Sequence, residues 1–150
     1  MRKIILALMV VCASVFADRF VGVEVATGKS YSDSTAKINS GIVKLGYEGE
    51  AARLFVFGGM DHYNNHEGSA KYYGVEFDKK FEDMFLGLGI GFGKKNMKGY
   101  ELTSRDLIFK VGHTFSNSVE AGVKFVDRSY SNTDVRNRLG LIFVGYNFNL

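Results

Sequence analysis

Residues 85–93 read FLGLGIGFG, a segment in which glycine alternates with Leu88, Ile90 and Phe92. Successive side chains of an extended strand point to opposite faces, so one face of this segment is apolar and the other carries no side chains. Four alternating glycines on a water-exposed face would only weaken a strand. We therefore expect the glycine face to provide space for long side chains that reach across from neighbouring strands.

The same period of two recurs along the whole chain after residue 17, and this alternation is typical of β-strands. In each segment one face is apolar and aromatic, whereas the other collects glycine and charged residues. No linker or change in composition divides these segments, so they predict one all-β domain. The eight predicted strands cover about 19–27, 38–48, 52–62, 71–79, 84–94, 102–114, 118–128 and 138–150.

The predicted connections alternate in length, which favours an antiparallel up-and-down order of strands. Short connections occupy 49–51, 80–83 and 115–117. Between them lie long polar segments, so all long connections fall at one end of the sheet and all short ones at the other. The long segments are 28–37, 63–70, 94–101 and 129–137.

Residues 1–17 have the composition of a secretory signal peptide. Two basic residues are followed by an apolar run from Ile4 to about Val11, and Val15 and Ala17 occupy positions −3 and −1 before the expected cleavage site. The alternative is an uncleaved anchor, although the run is short against the roughly 20 residues of a spanning helix. The expected organisation is a signal peptide at 1–17 and a barrel domain at 18–150.

Removal of the signal peptide changes the functional classes that composition allows. The formal net charge falls from +3 to about +1, because Arg2 and Lys3 leave with it. Cys12, the single cysteine, leaves as well. Net basicity therefore gives no argument for nucleic-acid binding, and the mature chain is expected to have no disulfide or thiol chemistry.

The charged faces predict an ionic network inside a membrane barrel. An eight-stranded barrel encloses a lumen just wide enough to be filled by side chains, and a membrane barrel turns its apolar face toward lipid. Buried charges must then be paired, and both signs are present on the same faces. The solvated face of a soluble barrel is the alternative. The predicted lumen network comprises Glu24, Lys44, Glu48, Arg53, Glu76, Asp106, Lys110, Glu120, Lys124 and Arg128.

The final segment, GLIFVGYNFNL, resembles the C-terminal insertion signal of outer-membrane barrels, with Gly145, Phe148 and Leu150 at the spacing of that signal. The mature chain resembles the small eight-stranded outer-membrane proteins: the OmpA transmembrane domain, OmpX and the opacity-type surface proteins. The resemblance implies a transmembrane β-barrel in the Gram-negative outer membrane, assembled by the barrel-insertion machinery. It further implies long loops outside the cell. We interpret the chain as a monomeric structural or surface-exposed barrel, with these loops available for adhesion or interaction and a charged, largely plugged lumen.

Lysines near one predicted loop indicate a second candidate site. Lys94, Lys95 and Lys98 lie close together in sequence, and in the membrane interpretation they are close to the phosphates of lipopolysaccharide. Lysine binds phosphate through charge-assisted hydrogen bonds. We therefore predict outer-membrane lipids and lipopolysaccharide as partners, with a host or surface ligand for the loops.

Catalytic and metal sites have weaker signals. Outer-membrane lipid A deacylases share the fold and carry His and Ser two residues apart with a later carboxylate, whereas His113 and Ser116 are three apart across a short turn. His62 and His66 flank a loop that is better interpreted as solvated. We expect no catalytic residue, metal or cofactor. A deacylase-like enzyme and a soluble lipocalin-type carrier remain the alternatives, although lipocalins usually have a tryptophan that this chain lacks.

Overall fold

The computed structural model is a closed barrel of eight antiparallel strands. It describes residues 18–31, 36–64, 68–97, 100–115, 118–131 and 136–150; the predicted signal peptide lies outside them. No helix of a length and hydropathy suited to a membrane span occurs in these ranges. The strands are β1 Asp18–Ser30, β2 Lys37–Glu48, β3 Ala52–Tyr63, β4 Ser69–Phe81, β5 Met84–Met97, β6 Tyr100–Thr114, β7 Val119–Tyr130 and β8 Arg136–Asn149.

Each strand pairs with its neighbours in sequence, and β1 also pairs with β8. Phe20 of β1 is opposite Asn149 of β8 and opposite Gly46 of β2. Closure leaves no unpaired strand edge. The fold class and the existence of all eight predicted strands are therefore confirmed.

The alternation in sequence becomes an alternation between the interior and the exterior of the barrel. On β5, Leu88 has an exposed fraction of 60%, whereas Phe85 on the inward face has 1%. The outward apolar residues form a continuous girdle that we call the apolar belt. Its members include Val23, Val25, Val43, Leu45, Val56, Tyr73, Val75, Phe77, Leu86, Leu88, Ile90, Phe92, Leu107, Phe109, Val123, Phe125, Ile142, Val144, Tyr146 and Phe148.

The connections at the predicted long end are shorter than expected. They comprise 31–36, 64–68, 98–99 and 131–135, against 49–51, 82–83 and 115–118 at the other end. We call these the loop end and the turn end; Asp18 and Leu150 lie at the turn end. The prediction was wrong because polar composition was interpreted as loop, whereas cross-strand hydrogen bonding continues the strands. Lys94–Asn96, for example, pair with β4 and β6.

The glycines of β4 and β5 make room for interior side chains, as the alternation predicted. A Cβ atom built on Gly87 would collide with the carboxylates of Asp78 and Glu76. A Cβ atom on Gly74 would lie 2.6 Å from Cζ of Phe57. Side chains of the neighbouring strands therefore fill the interior space that the glycines of β4 and β5 leave open.

Candidate functional site

The half of the interior nearer the turn end holds a neutral set of buried charges, the turn-end cluster. Strand alternation directs all of them inward, and each is at most 4% exposed. The cluster has four carboxylates and four cations, and each of them forms an ion pair with a member of opposite sign, as buried charges require. Among the described residues this cluster comprises Glu24, Lys44, Arg53, Glu76, Asp78, Lys110, Glu120 and Lys124.

Pairing within the turn-end cluster crosses the lumen. Glu24 of β1 accepts from Lys44 on β2, with Nζ 2.7 Å from Oε2, and from Lys124 on β7. Arg53 of β3 bridges Asp78 on β4, at 2.7 Å between Nη2 and Oδ2, and Glu120 on β7. The contacts of Glu24 with Lys124 and of Arg53 with Glu120 connect strands that are not neighbours in the barrel.

Two further groups complete the turn-end cluster. Lys110, fully buried, pairs with Glu76. Asn147 of β8 donates from Nδ2 to Oε1 of Glu120 at 2.8 Å. The guanidinium of Arg53 also lies 4.6 Å from the ring centroid of Phe85, so aromatic faces supplement the carboxylates.

The other half of the interior contains the loop-end cluster, centred on Arg128. Its guanidinium donates from Nε and Nη2 to the two carboxylate oxygens of Asp106, at 2.8 and 2.6 Å. Nη1 donates to Oδ2 of Asp61 at 2.9 Å and to the Tyr63 hydroxyl at 2.8 Å. Lys95 is the second cation of this cluster, with Nζ 4.1 Å from the centroid of Tyr63.

An apolar layer separates the two clusters. On β7, for instance, Val126 faces inward between Lys124 and Arg128. A cavity of about 10 Å³ lies among these groups, lined by residues of both clusters and of the layer; this volume is about that of one water-sized probe. The layer comprises Ala26, Ile42, Phe57, Ile108, Val126 and Leu141.

Nine of the ten residues predicted for the lumen are buried inside the barrel, and the tenth is at its mouth. Glu48 is half-buried at the turn end and pairs with Lys80 at 2.8 Å. Sequence reasoning missed Asp61, Asp78 and Lys95. All three continue the inward alternation of strands that already contained predicted residues or the glycine run, so extending that pattern would have found them.

The outer surface of the loop end is basic just beyond the apolar belt. Strand alternation directs seven Lys and Arg side chains outward at this level of the barrel, whereas only two described carboxylates, Glu101 and Asp127, point outward there. We call this ring the basic rim. It comprises Lys29, Lys37, Lys71, Lys94, Arg105, Arg136 and Arg138.

The lysines predicted to contact lipopolysaccharide do not share one face. Lys94 points outward and pairs with Glu101 at 2.6 Å. Lys95 points into the barrel and is 4% exposed, so its expected contact with an external phosphate is wrong; adjacent residues of a strand face opposite ways. Lys98 lies outside the described residues.

The histidines are distributed in a way that alternation explains. His62 faces outward, whereas neighbouring Asp61 faces inward to Arg128, so these two side chains cannot share a metal. Within the described ranges no three metal-binding side chains gather. His113 lies at the turn end, with its ring centroid 4.7 Å from that of Phe115. Ser116, like His66, lies outside the described residues.

The residues of the predicted insertion signal lie at the end of β8. Gly145 faces the lumen, whereas Phe148 and Leu150 face outward with exposed fractions of 51% and 75%. The ring of Phe148 packs 4.5 Å from Tyr146, centroid to centroid. The backbone nitrogen of Leu150 donates to the carbonyl of Arg19 at 2.8 Å, which ties the chain end to β1.

Comparison with known proteins gives matches in structure alone. No protein-family model matches the chain, and no curated protein matches it. Among solved structures, the chain is similar to Neisserial surface protein A, at 16% identity and a TM-score of 0.58 over 88% of this chain and 97% of that one. The outer membrane enzyme PagL matches at 13% identity and a TM-score of 0.65, over 83% and 98%.

A third match is Ail, the attachment invasion locus protein of Yersinia pestis, solved in complex with the heparin analogue sucrose octasulfate. It has 14% identity and a TM-score of 0.55 over 89% of this chain and 99% of that one. Because the sequence identities are this low, these structural matches establish a likeness of fold alone. The closed order of eight antiparallel strands and these matches together show that the chain has the fold of the small eight-stranded outer-membrane β-barrels.

Proposed function

We propose that this protein is an exported, monomeric barrel of the Gram-negative outer membrane, with the loop end outside the cell and the turn end in the periplasm. The carrying observation is the apolar belt around a charged interior. A soluble barrel would expose the charges and bury the apolar residues. The arrangement found here suits a barrel whose outer face contacts the hydrocarbon of a bilayer. A closed barrel can lie there because its strands pair with one another and leave no backbone group unpaired.

The dimensions of the apolar belt support a membrane-spanning position. On β5 the outward apolar residues run from Met84 to Phe92, which is roughly 27 Å along a strand. At a tilt of about 45° this span covers about 19 Å of bilayer. Bacterial outer membranes are thinner than average bilayers, so the belt suits that membrane.

The filled interior argues against the lipocalin-type carrier. Such a carrier needs an apolar chamber large enough for its ligand, and ligand pockets are commonly roughly 300 Å³ or more. The described lumen instead holds two ionic clusters and a cavity of about 10 Å³. Apolar ligands would have to displace paired charges to enter.

The test of the membrane assignment is the solubility of the refolded mature chain, residues 18–150. We expect it to fold only with detergent or lipid and to migrate faster on gels before boiling than after, because the closed barrel resists unfolding. Mass spectrometry of the native protein should give an N-terminus at Asp18. A chain that stays folded and monomeric in plain buffer would exclude a membrane barrel.

We further propose a structural and interaction role at the cell surface. The strands of the loop end extend past the apolar belt, so this rim and its short connections are the surface offered to outer-membrane lipids, lipopolysaccharide or another cell. Phe148 and Leu150, exposed at the end of β8, would present an apolar edge to the barrel-insertion machinery before β8 closes on β1. A binding screen with cells and matrix components tests the adhesion role.

The proposed role is non-catalytic. His113, the histidine of the deacylase alternative, lies at the turn end, which in the proposed orientation is the periplasmic side and away from lipid A. Similarity to PagL concerns the fold. We expect lipid A from cells with and without the gene to have the same mass spectrum; loss of an acyl chain only when the gene is present would establish the enzyme instead.

A further inference from the structure

A groove of about 470 Å³ crosses the outer surface of β4, β5 and β6 where the apolar belt meets the basic rim. Three rows of outward side chains form it, because the strand register places residues of the three strands side by side. From the belt toward the loop end, these rows are Tyr73 and Phe92; then Lys71, Lys94 and Thr103; then Ser69, Asn96 and Glu101.

The middle row places two lysines directly opposite each other. Lys71 of β4 is the register partner of Lys94 of β5, and like charges in this position destabilise a sheet. Lys94 is partly neutralised by Glu101 at 2.6 Å. Lys71 makes no ion pair within the described ranges. An anion between the two ammonium groups would remove this repulsion.

The rows on either side indicate what carries the anion. Toward the belt, the rings of Tyr73 and Phe92 lie 6.4 Å apart, centroid to centroid, and form an apolar floor suited to an acyl chain or a sugar face. Toward the loop end, Ser69, Asn96 and Glu101 present a hydroxyl, an amide and a carboxylate, which are groups that bind sugar hydroxyls.

We propose that this groove binds a phosphorylated, acylated sugar lipid of the outer leaflet, namely lipid A. Its phosphate would lie between Lys71 and Lys94, its acyl chains would run along Tyr73 and Phe92 into the belt, and its sugar would face Ser69 and Asn96. The proposal rests on the proposed function, since it needs the loop end to be in the outer leaflet.

The polar row and the position of the groove favour lipid A over a phospholipid. The headgroup of a phospholipid such as phosphatidylglycerol offers the polar row two hydroxyls at most, whereas the sugars of lipid A offer several hydroxyl and amide groups to Ser69, Asn96 and Glu101. A second opposed lysine pair, Lys29 and Lys37, exists on β1 and β2. Its next row toward the belt, Thr27 and Asn39, has no aromatic side chain; Tyr31 and Phe125 lie beside Lys29 in a separate groove of about 260 Å³ that Lys37 does not line. That pair is therefore a matched control for simple surface charge.

The test is the dissociation constant of lipid A for the full mature chain in detergent micelles, measured by native mass spectrometry. Each lysine beside an anionic lipid contributes about 1 kcal/mol of binding free energy. Lys71→Ala/Lys94→Ala removes two lysines and should therefore weaken binding about thirtyfold. Lys29→Ala/Lys37→Ala should change it by less than about twofold, because exposed charges beyond a Debye length are screened. Dephosphorylated lipid A should bind the unsubstituted chain as weakly as lipid A binds the groove variant.

Three results would overturn the assignment. Equal losses from the two lysine pairs would mean general attraction to the rim. Phosphatidylglycerol binding as tightly as lipid A, with the same dependence on Lys71 and Lys94, would make the site a phospholipid site. No loss from the groove variant would remove the site altogether. In each case the gel shift on heating still reports the membrane barrel, so failure of this inference is distinguishable from failure of the proposed function.

Discussion

At the scale of single residues, the molecule depends on where each charge lies. Arg128 is 1% exposed and donates to two carboxylates and a phenol, whereas Lys94 makes one ion pair on the surface. A charge left without its partner in the interior cannot be rehydrated, but an exposed one can. A buried cation and an exposed cation therefore contribute very differently to the stability of the fold.

Removal of Arg128 should be strongly destabilising. Arg128→Met leaves Asp61 and Asp106 buried without a guanidinium, and we expect a loss of about 3–5 kcal/mol in urea unfolding of the protein in lipid vesicles. Neutralising the carboxylates as well, in Arg128→Met/Asp61→Asn/Asp106→Asn, should restore most of that loss. Lys94→Met is the exposed control, at about 0–1 kcal/mol. Equal effects of Arg128→Met and Lys94→Met would contradict a buried ionic cluster.

The outward residues of the apolar belt are sensitive to charge in proportion to their depth. Leu88→Arg near the middle of the belt should cost about 2–4 kcal/mol in the same unfolding assay, and Met84→Arg at its turn-end edge about 0–1 kcal/mol. Both sites are on β5 and face outward, so depth is the variable that differs. Equal and small costs at both would mean that this face meets water.

At the scale of elements, the sizes of the inward side chains on one strand are complementary to those on the neighbouring strands. β5 has glycine at four inward positions, and the side chains of β3, β4 and β6 occupy the vacated space. The strand is therefore specified by its neighbours as well as by its own propensity, which glycine lowers.

Substitution of a β5 glycine tests this complementarity. A Cβ atom on Gly89 would be 3.1 Å from the carbonyl oxygen of Val75 and 3.2 Å from Cβ of Glu76, so Gly89→Phe should prevent barrel closure and abolish the fast-migrating band on unheated gels. A Cβ atom on Gly58 of β3, on the outward face, would meet no heavy atom within 4 Å. Gly58→Phe should keep that band; if Gly89→Phe keeps it too, β5 does not line a filled lumen.

At the scale of the whole molecule, the two ionic clusters and the apolar layer fill successive levels of the described interior. Each cluster is balanced in sign among the described residues, and the layer between them offers no hydrogen bonds to water. A continuous file of water would have to break ion pairs in two places and wet an apolar ring in a third. We therefore expect no continuous path for water or ions through the barrel.

Planar bilayers test this closure. We expect no steady single-channel conductance from the refolded protein, because paired side chains occupy the lumen. A large water-filled porin in the same bilayer provides the positive control, and protease protection of the strands shows that the protein has inserted. Reproducible, voltage-independent conductance steps would show that the interior is open.

The sequence by itself determined the strand content, the number of strands and the identity of most inward charges, because a period of two is a local property that survives any packing. The period of two did not by itself determine which face turned inward, since the same alternation suits a soluble and a membrane barrel; the alternating glycines and the mixed charges favoured an inward charged face. The tertiary structure decided the question, because the charged and glycine faces fill the closed lumen and the apolar side chains point out.

Register and pairing belonged to the tertiary structure for a related reason. Lys95 was predicted in a loop, whereas strand pairing extends β5 past it, so that alternation directs Lys94 to the rim and Lys95 against Tyr63. The polar segment 94–101 was predicted as a loop because composition does not report cross-strand hydrogen bonds, which extended β5 and β6 to within two residues of each other. The groove over β4, β5 and β6 likewise depends on the ladder, which aligns Lys71 with Lys94, 23 positions further along the chain.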